Sequence, residues 1–183
     1  MVQVSAMVCK ASSREEQRDA APDVDAFRAT MARLASGVAI ASCWEGSAPR
    51  GLLVSSITTL STEPPRVLFC VRKASASHNA LLRATHCGLA VLAEQDQDEA
   101  ERFSQSSRSA ERFDPQRWVL DPRGSPRHRA PLIGLDGVIG HRIDAGTHTL
   151  FVLNISRSQT SDDRPLLYFD RGFRKLERWH AWD

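Results

Sequence analysis

Pro64-Pro65 stand side by side between two segments of strand-like composition. Two adjacent prolines fix two φ angles and remove two amide donors, so no central strand can run through them. Upstream, Arg50-Gly-Leu-Leu-Val-Ser-Ser-Ile-Thr-Thr-Leu-Ser-Thr62 is dense in β-branched residues and hydroxyls, which predicts a strand ending in a hard turn. Downstream, Val67-Leu-Phe-Cys-Val71 is a continuous apolar run that suits a strand buried on both faces, although periodicity alone leaves a short helix open. Arg72, Lys73, Ser75 and Ser77 then precede Asn79-Ala-Leu-Leu-Arg83, which reads as the opening of a helix. Cations and hydroxyls beside free helix amides form a place to hold a phosphate.

The flanking chain adds many short strands and few helices. Met1 to Pro22 is polar, mixed in charge and aperiodic, and is expected to be a mobile tail before a domain spanning residues 23–183. Asp23 or Asp25 can cap a helix whose apolar positions Phe27, Met31, Leu34 and Ala35 share a face, with Gly37 as its stop; this helix is expected to pack by that face. Val38 to Trp44 reads as a first strand and Glu45 to Pro49 as its returning turn. Gly88 to Ala93 is another strand, and Asp96 to Ser106 a helix with acids at its start. From Ser104 to Pro131 the chain is rich in Ser, Arg and Pro, with Phe113 and Trp118 as its only strong apolar anchors, and is expected to be a long, mobile covering flap. Gly134 to Ile143 and Thr147 to Ser158 form a hairpin about Asp144-Ala-Gly146, in which Thr149, Phe151 and Leu153 share one face and His148, Leu150 and Val152 the other. Pro165 to Phe169 and Gly172 to Leu176 form a last short hairpin, followed by Trp179 and Trp182. Such a succession points to an all-β, barrel-like architecture.

Several functional classes lose their support. A chain of 183 residues is one domain by usual sizes and should bury about 70% of its unfolded surface. A net charge of +2, from 24 basic and 22 acidic residues, is too balanced for a nucleic-acid binder. Cys9, Cys43, Cys70 and Cys87 lie far apart without a Cys-x-x-Cys pair, so neither a metal site nor a disulfide scaffold is indicated, and a reducing cytoplasm fits best. No apolar leader and no run of ~18 apolar residues is present, so neither signal peptide nor membrane span is expected. Gly134, Gly137 and Gly140 recur by threes and do not make a dinucleotide fingerprint; nucleophile elbow, zinc-protease and P-loop motifs are also missing.

Gly51-x-x-Val-Ser-Ser-Ile-x-x-Leu-Ser61, Pro64-Pro-x-Val-Leu-Phe69 and Ser75-x-Ser77, followed by Gly146-Thr-His-Thr-Leu-Phe151 and Pro165-Leu-Leu-Tyr-Phe169, resemble in order the landmarks of the flavin reductase family. The resemblance runs from about Phe27 to Leu176. It implies a mainly β, FMN-binding split barrel with a few peripheral helices. It also implies an NAD(P)H-dependent reductase that reduces FAD or FMN, with NADH the favoured donor, and releases reduced flavin to a partner monooxygenase from a homodimer. A non-turnover flavin sensor or carrier of the same fold is the competing reading. By the same resemblance, Leu52, Leu53, Val54, Ser55 and Ser56 would lie along the isoalloxazine ring. Ser75, Ser77 and Arg72 or Lys73, with His78 beside them, would meet the phosphate, and Tyr168 and Phe173 would contribute aromatic contacts. His148 would bind and align the nicotinamide at the reacting centre. The bland alternatives are a helix cap for Ser77, an exposed strand position for His148 and core packing for the two aromatics. Two positions depart from the family pattern: Leu53 replaces a common Thr, and Thr147 a common Asp before the histidine.

Overall fold

The computed structural model describes residues 23–176, so the expected tail Met1 to Pro22, Cys9, Trp179 and Trp182 lie outside the described residues. Asp23 caps helix α1 (Val24–Met31), its carboxylate accepting from the amides of Asp25 at 3.2 Å and Ala26 at 3.3 Å. The helix stops before Leu34, and Ser36–Gly37 form a short strand, β1. No residue of α1 is buried, and Phe27 and Met31 are 53% and 45% exposed. Among the described residues, therefore, nothing buries the face by which this helix is expected to pack.

Strands β2 (Ala39–Glu45) and β3 (Ala48–Val54) form the anticipated hairpin around Gly46. The stretch before the prolines is divided: β3 ends at Val54, and Ser55-Ser56 lead into β4 (Ile57–Thr62). Pro64 falls in the turn and Pro65 opens β5 (Pro65–Arg72), a position where a missing donor is tolerated. β5 buries Val67, Phe69 and Val71 but leaves Leu68 and Cys70 only partly covered. It is thus not the doubly buried strand expected, because its outer face opens on a cleft. Helix α2 (His78–Arg83), strand β6 (His86–Val91) and helix α3 (Gln97–Ser104) follow. A 3-10 segment, Ser106–Glu111, and the small hairpin β7 (Trp118–Val119) with β8 (Arg127–His128) come next. The long hairpin β9 (Ile133–Ala145) and β10 (His148–Thr160) and the short hairpin β11 (Leu167–Phe169) and β12 (Gly172–Arg174) complete the described chain.

Seven strands pair in the order β3-β2-β6-β9-β10-β5-β4, antiparallel throughout. The sheet curls around one apolar cluster drawn from β2, β5, β6, β9, β10 and α2, in which the Phe69 and Phe151 rings stack at 5.3 Å. Its two edges, β3 and β4, are consecutive in the chain and joined only by Ser55-Ser56. The result is a split barrel with three helices among the described residues, α2 packed into its core, and the split falls at those two serines. Gly137 shows why strand glycines recur by threes without binding a dinucleotide: a Cβ there would collide with the backbone carbonyl of Asn154 on β10.

A second cluster covers the outer face of β2 and β3, where Val38 and Ile40 meet Phe103, Phe113 and Trp118. The stretch expected to be a mobile flap is docked, not loose. Phe113 is 7% and Trp118 1% exposed, and the Trp118 indole donates to the buried Glu99 carboxylate at 2.7 Å. Burying such aromatic groups is worth about 1.5–3 kcal/mol each, which fixes the segment on the barrel. Cys43, Cys70 and Cys87 are free thiols, and burial pushes that of Cys43 up to about 12, which leaves it a packing group and no nucleophile.

Candidate functional site

Three neighbouring clefts lie along β3 and the Ser55-Ser56 seam, joined through Ser55, Tyr168 and Ser104. One of about 460 Å³ has apolar walls from Met31, Leu34, Ile57 and Leu68 and hydroxyls from Ser55 and Ser56. A second, of about 340 Å³, adds Leu53, Val54 and Phe173 and shares Ser55 and Tyr168 with the first. The third, of about 690 Å³, begins at Gly51 and Leu52 and carries Arg72, Ser75, Ser77 and Arg112. Every residue from Leu52 to Ser56 therefore reaches cleft surface, but not equally: Val54 is 5% exposed and packs into the barrel core, so it offers backbone more than side chain. The Ser56 hydroxyl donates to the Cys70 carbonyl at 3.3 Å, whereas Ser55 is exposed in both of the first two clefts. Tyr168 is 37% exposed and meets Phe173 edge-on at 5.7 Å, so Tyr168 lies at the surface of the cleft while Phe173 also packs on the second core.

The cluster after β5 is brought only partly together. Arg72 is exposed on the third cleft and Ser75 is half-buried there. Lys73 leaves the group: its ammonium meets Asp144 at 2.6 Å, across from β5 on the tip of the β9–β10 hairpin, and it lines none of the three clefts. That hydrogen bond holds the Asp144 carboxyl below the usual carboxylate range. Ser77 lines the cleft, yet it is 4% exposed and its hydroxyl donates to the Gly51 carbonyl at 2.9 Å. It occupies the N-cap position of α2 without making a side-chain cap, so it staples the helix to β3. His78 lines none of the three clefts. It is 4% exposed, its Nε2 lies 2.9 Å from Thr149 Oγ1, and its ring meets Phe151 edge-on inside the barrel. As the first residue of α2 it points inward, where Thr149 satisfies its polar edge.

His148 opens β10, directly opposite Arg72 of β5, so both side chains lie on the sheet face turned away from Thr149 and Val71. It is exposed, with Nδ1 2.9 Å from the Thr147 hydroxyl. Thr147 thus orients the imidazole in place of a carboxylate. A carboxylate would only accept and would fix the proton on Nδ1, whereas a hydroxyl can donate or accept and permits either tautomer.

Three cleft-lining residues, Met31, Leu34 and Arg112, were not indicated by the sequence. Met31 and Leu34 of the α1 region wall the first cleft, which an expectation of internal packing concealed. Arg112 enters the third cleft from the segment read as a flap; its only signal was the neighbouring anchor Phe113, and the Gly51 carbonyl it contacts lies 61 positions away. Gly51 makes that approach possible, since the Phe103 and Phe113 rings each come within 2.9 Å of where a Cβ would stand.

An apolar slot with hydroxyls at its seam, running to a cationic end, fits a flat heteroaromatic ring with a phosphorylated tail. The family profile for the flavin reductase like domain matches residues 31–177, a span that contains the whole site. The chain belongs to the flavin reductase-like family. Within the family it is 32% identical over 152 residues to the reductase subunit HsaB of a flavin-dependent monooxygenase from Rhodococcus jostii, covering 82% of this chain and 77% of that one. It is 28% identical over 152 residues to the FMN reductase (NADH) SmoA of Agrobacterium fabrum, covering 83% and 86%. Among solved structures it resembles the NADH:FAD oxidoreductase SgcE6 of Streptomyces globisporus in complex with NAD and FAD fragments, at 27% identity and a TM-score of 0.75, covering 82% and 90%.

Proposed function

We propose that this flavin reductase-like protein takes up FAD or FMN and NADH, transfers hydride from nicotinamide to flavin, and releases the reduced flavin to a separate monooxygenase. The observation that carries the reading is the run of clefts from an apolar, hydroxyl-edged slot at Ser55-Ser56 to a polar end where the Arg72 cation stands beside Ser75 and Ser77, in a chain of this family. The two cofactors supply the redox chemistry when bound, and the protein supplies position and electrostatics. Met31, Leu34, Ile57 and Leu68 cover the ring faces and exclude water, and Ser55 is the freer hydroxyl for its polar edge because Ser56 is engaged by Cys70. Arg72 and Ser75 hold the phosphate, while Ser77 fixes β3 against α2. His148 binds and aligns the nicotinamide by hydrogen bond or stacking; hydride transfer requires no proton from it, so acid–base work is not assigned to it.

NADH as donor is supported by a relative named for NADH and a neighbour bound to NAD fragments, and an acceptor flavin of either kind by the same two proteins. A monooxygenase partner follows from the HsaB relationship. The apolar side chains of α1 and its exit, Phe27, Met31 and Leu34, are exposed beside the cleft, and we assign them to a two-fold homodimer with the flavin near the interface. Free thiols and the absence among the described residues of any helix long and apolar enough to cross a membrane are in keeping with a cytoplasmic enzyme.

The test is to follow oxidation of NADH and of NADPH with FAD, FMN or riboflavin added in turn. Flavin-dependent consumption of NADH is expected. No oxidation with any flavin would overturn the reading.

A further inference from the structure

Arg112 is held in an unusual way. Its guanidinium donates to three backbone carbonyls: Nε to Arg102 at 2.8 Å, Nη1 to Gly51 at 3.3 Å and Nη2 to Gln105 at 2.9 Å. It also lies over the Phe103 ring, 5.3 Å from the centroid. A guanidinium has five N–H donors, so two remain, one on each terminal nitrogen. Burial pushes this guanidinium below its ordinary range, and no carboxylate among the described residues pairs with it. By contrast, Arg102 and Arg108, on the same stretch, are both paired with acids, Asp98 and Glu111 among them.

A half-buried cation without a counter-charge is costly unless something negative completes it. What it faces is the third cleft, shared with Arg72, Ser75 and Ser77. The link to that cleft's polar end is direct, because Arg112 Nη1 and the Ser77 hydroxyl donate to the same acceptor, the Gly51 carbonyl. The carrying segment is also rigidly placed. Phe113, at φ 62, is buried against Phe103 and Trp118, with ring centroids 5.1 and 4.8 Å away.

We infer that Arg112 is the second cation of the phosphate end of the flavin cleft, the place that Lys73 vacates by pairing with Asp144. The inference rests on the flavin reductase reading above. Three carbonyls hold the fork in place before any ligand arrives, and its two remaining donors meet phosphate oxygens in the charge-assisted geometry that suits a guanidinium. Docking of the segment on β3 and recognition of a phosphorylated flavin are then parts of one arrangement, since Gly51 both admits the Phe103 and Phe113 rings and receives Arg112.

The experiment is titration of FMN, FAD and riboflavin into the protein, without nicotinamide, read by flavin fluorescence, for the natural chain, Arg112→Gln and Arg112→Lys. Loss of charge-assisted bonds in Arg112→Gln should weaken FMN and FAD about ten- to a hundredfold while riboflavin changes by less than about threefold. Arg112→Lys, which keeps the charge and loses the fork, should fall between. The ratio of FMN to riboflavin affinity is the deciding quantity, because undocking of the segment alone would weaken both ligands together. Equal weakening of riboflavin, or unchanged FMN affinity, in either variant would overturn the assignment and leave Arg112 a structural clamp. If Arg112→Gln does not fold, a ratio in Arg112→Lys equal to that of the natural chain is the overturning result. Failure of the natural chain to bind any of the three flavins would instead overturn the underlying reading.

Discussion

At the scale of single residues, the site depends on which side chains are already engaged. Lys73, Ser77 and His78 look equivalent to their neighbours in sequence, yet each is taken by a partner distant along the chain: Asp144, the Gly51 carbonyl and Thr149. Those pairings could not be read from local pattern, because they are created when the β9–β10 hairpin and β3 are laid against β5 and α2. Arg72, Ser75 and Ser55, which the sequence did indicate, remain on the cleft surface. His148 remains exposed, held by Thr147. Loss of one such ligand contact costs about 1–3 kcal/mol, or roughly ten- to a hundredfold. His148→Ala is accordingly expected to raise KM for NADH by that factor with kcat little changed and flavin affinity nearly intact, as for a group acting equally in ground and transition states. Unchanged NADH kinetics would return His148 to an ordinary surface position.

At the scale of elements, the double proline was the most legible feature, since its constraint is covalent; β4, the turn and β5 fall where it puts them. The long hairpin was legible for a similar reason: alternation of Thr149, Phe151 and Leu153 against the core follows directly from strand geometry. The break at Ser55-Ser56 was not, because nothing local forbids a continuous strand there and only closure of the sheet demands a seam. The segment after α3 was misread as loose because its charges suggested solvent, whereas they bond to one another. Arg108 donates to Asp98 at 3.0 Å and to Glu111 at 2.6 Å, and these bonds hold both carboxyl groups below the usual carboxylate range. A carboxylate whose folded pKa is depressed stabilises the docked segment fully above the unfolded value, and loses that contribution as pH falls through the folded one. Amide exchange in residues 105–113 should therefore accelerate on acidification, relative to the barrel strands and after correction for the intrinsic pH dependence of exchange. An acid-insensitive protection pattern would show that the aromatic anchors alone hold the segment.

At the scale of the whole molecule, two features meet: an amphipathic helix left uncovered by the other described residues, and a cleft whose wall is partly that same helix region. Val24 and Leu34 are 60% and 61% exposed, so the pattern indicated an amphipathic face whose partner lies outside the described residues of this chain. A homodimer at micromolar concentration is expected by sedimentation, with Phe27→Asp together with Met31→Asp shifting it toward monomer and weakening flavin binding. A natural chain that sediments as a monomer would contradict that assembly. The central claim, however, is turnover, and flavin binding alone would suit a carrier equally well. It is tested most directly by mixing the protein with one equivalent of oxidised flavin and NADH in the absence of oxygen, and following flavin absorbance. The flavin should bleach far faster than without protein, one NADH should be consumed per flavin, and deuterium at the transferred position of NADH should slow the step. Tight flavin binding with no bleaching beyond the protein-free rate would contradict that claim.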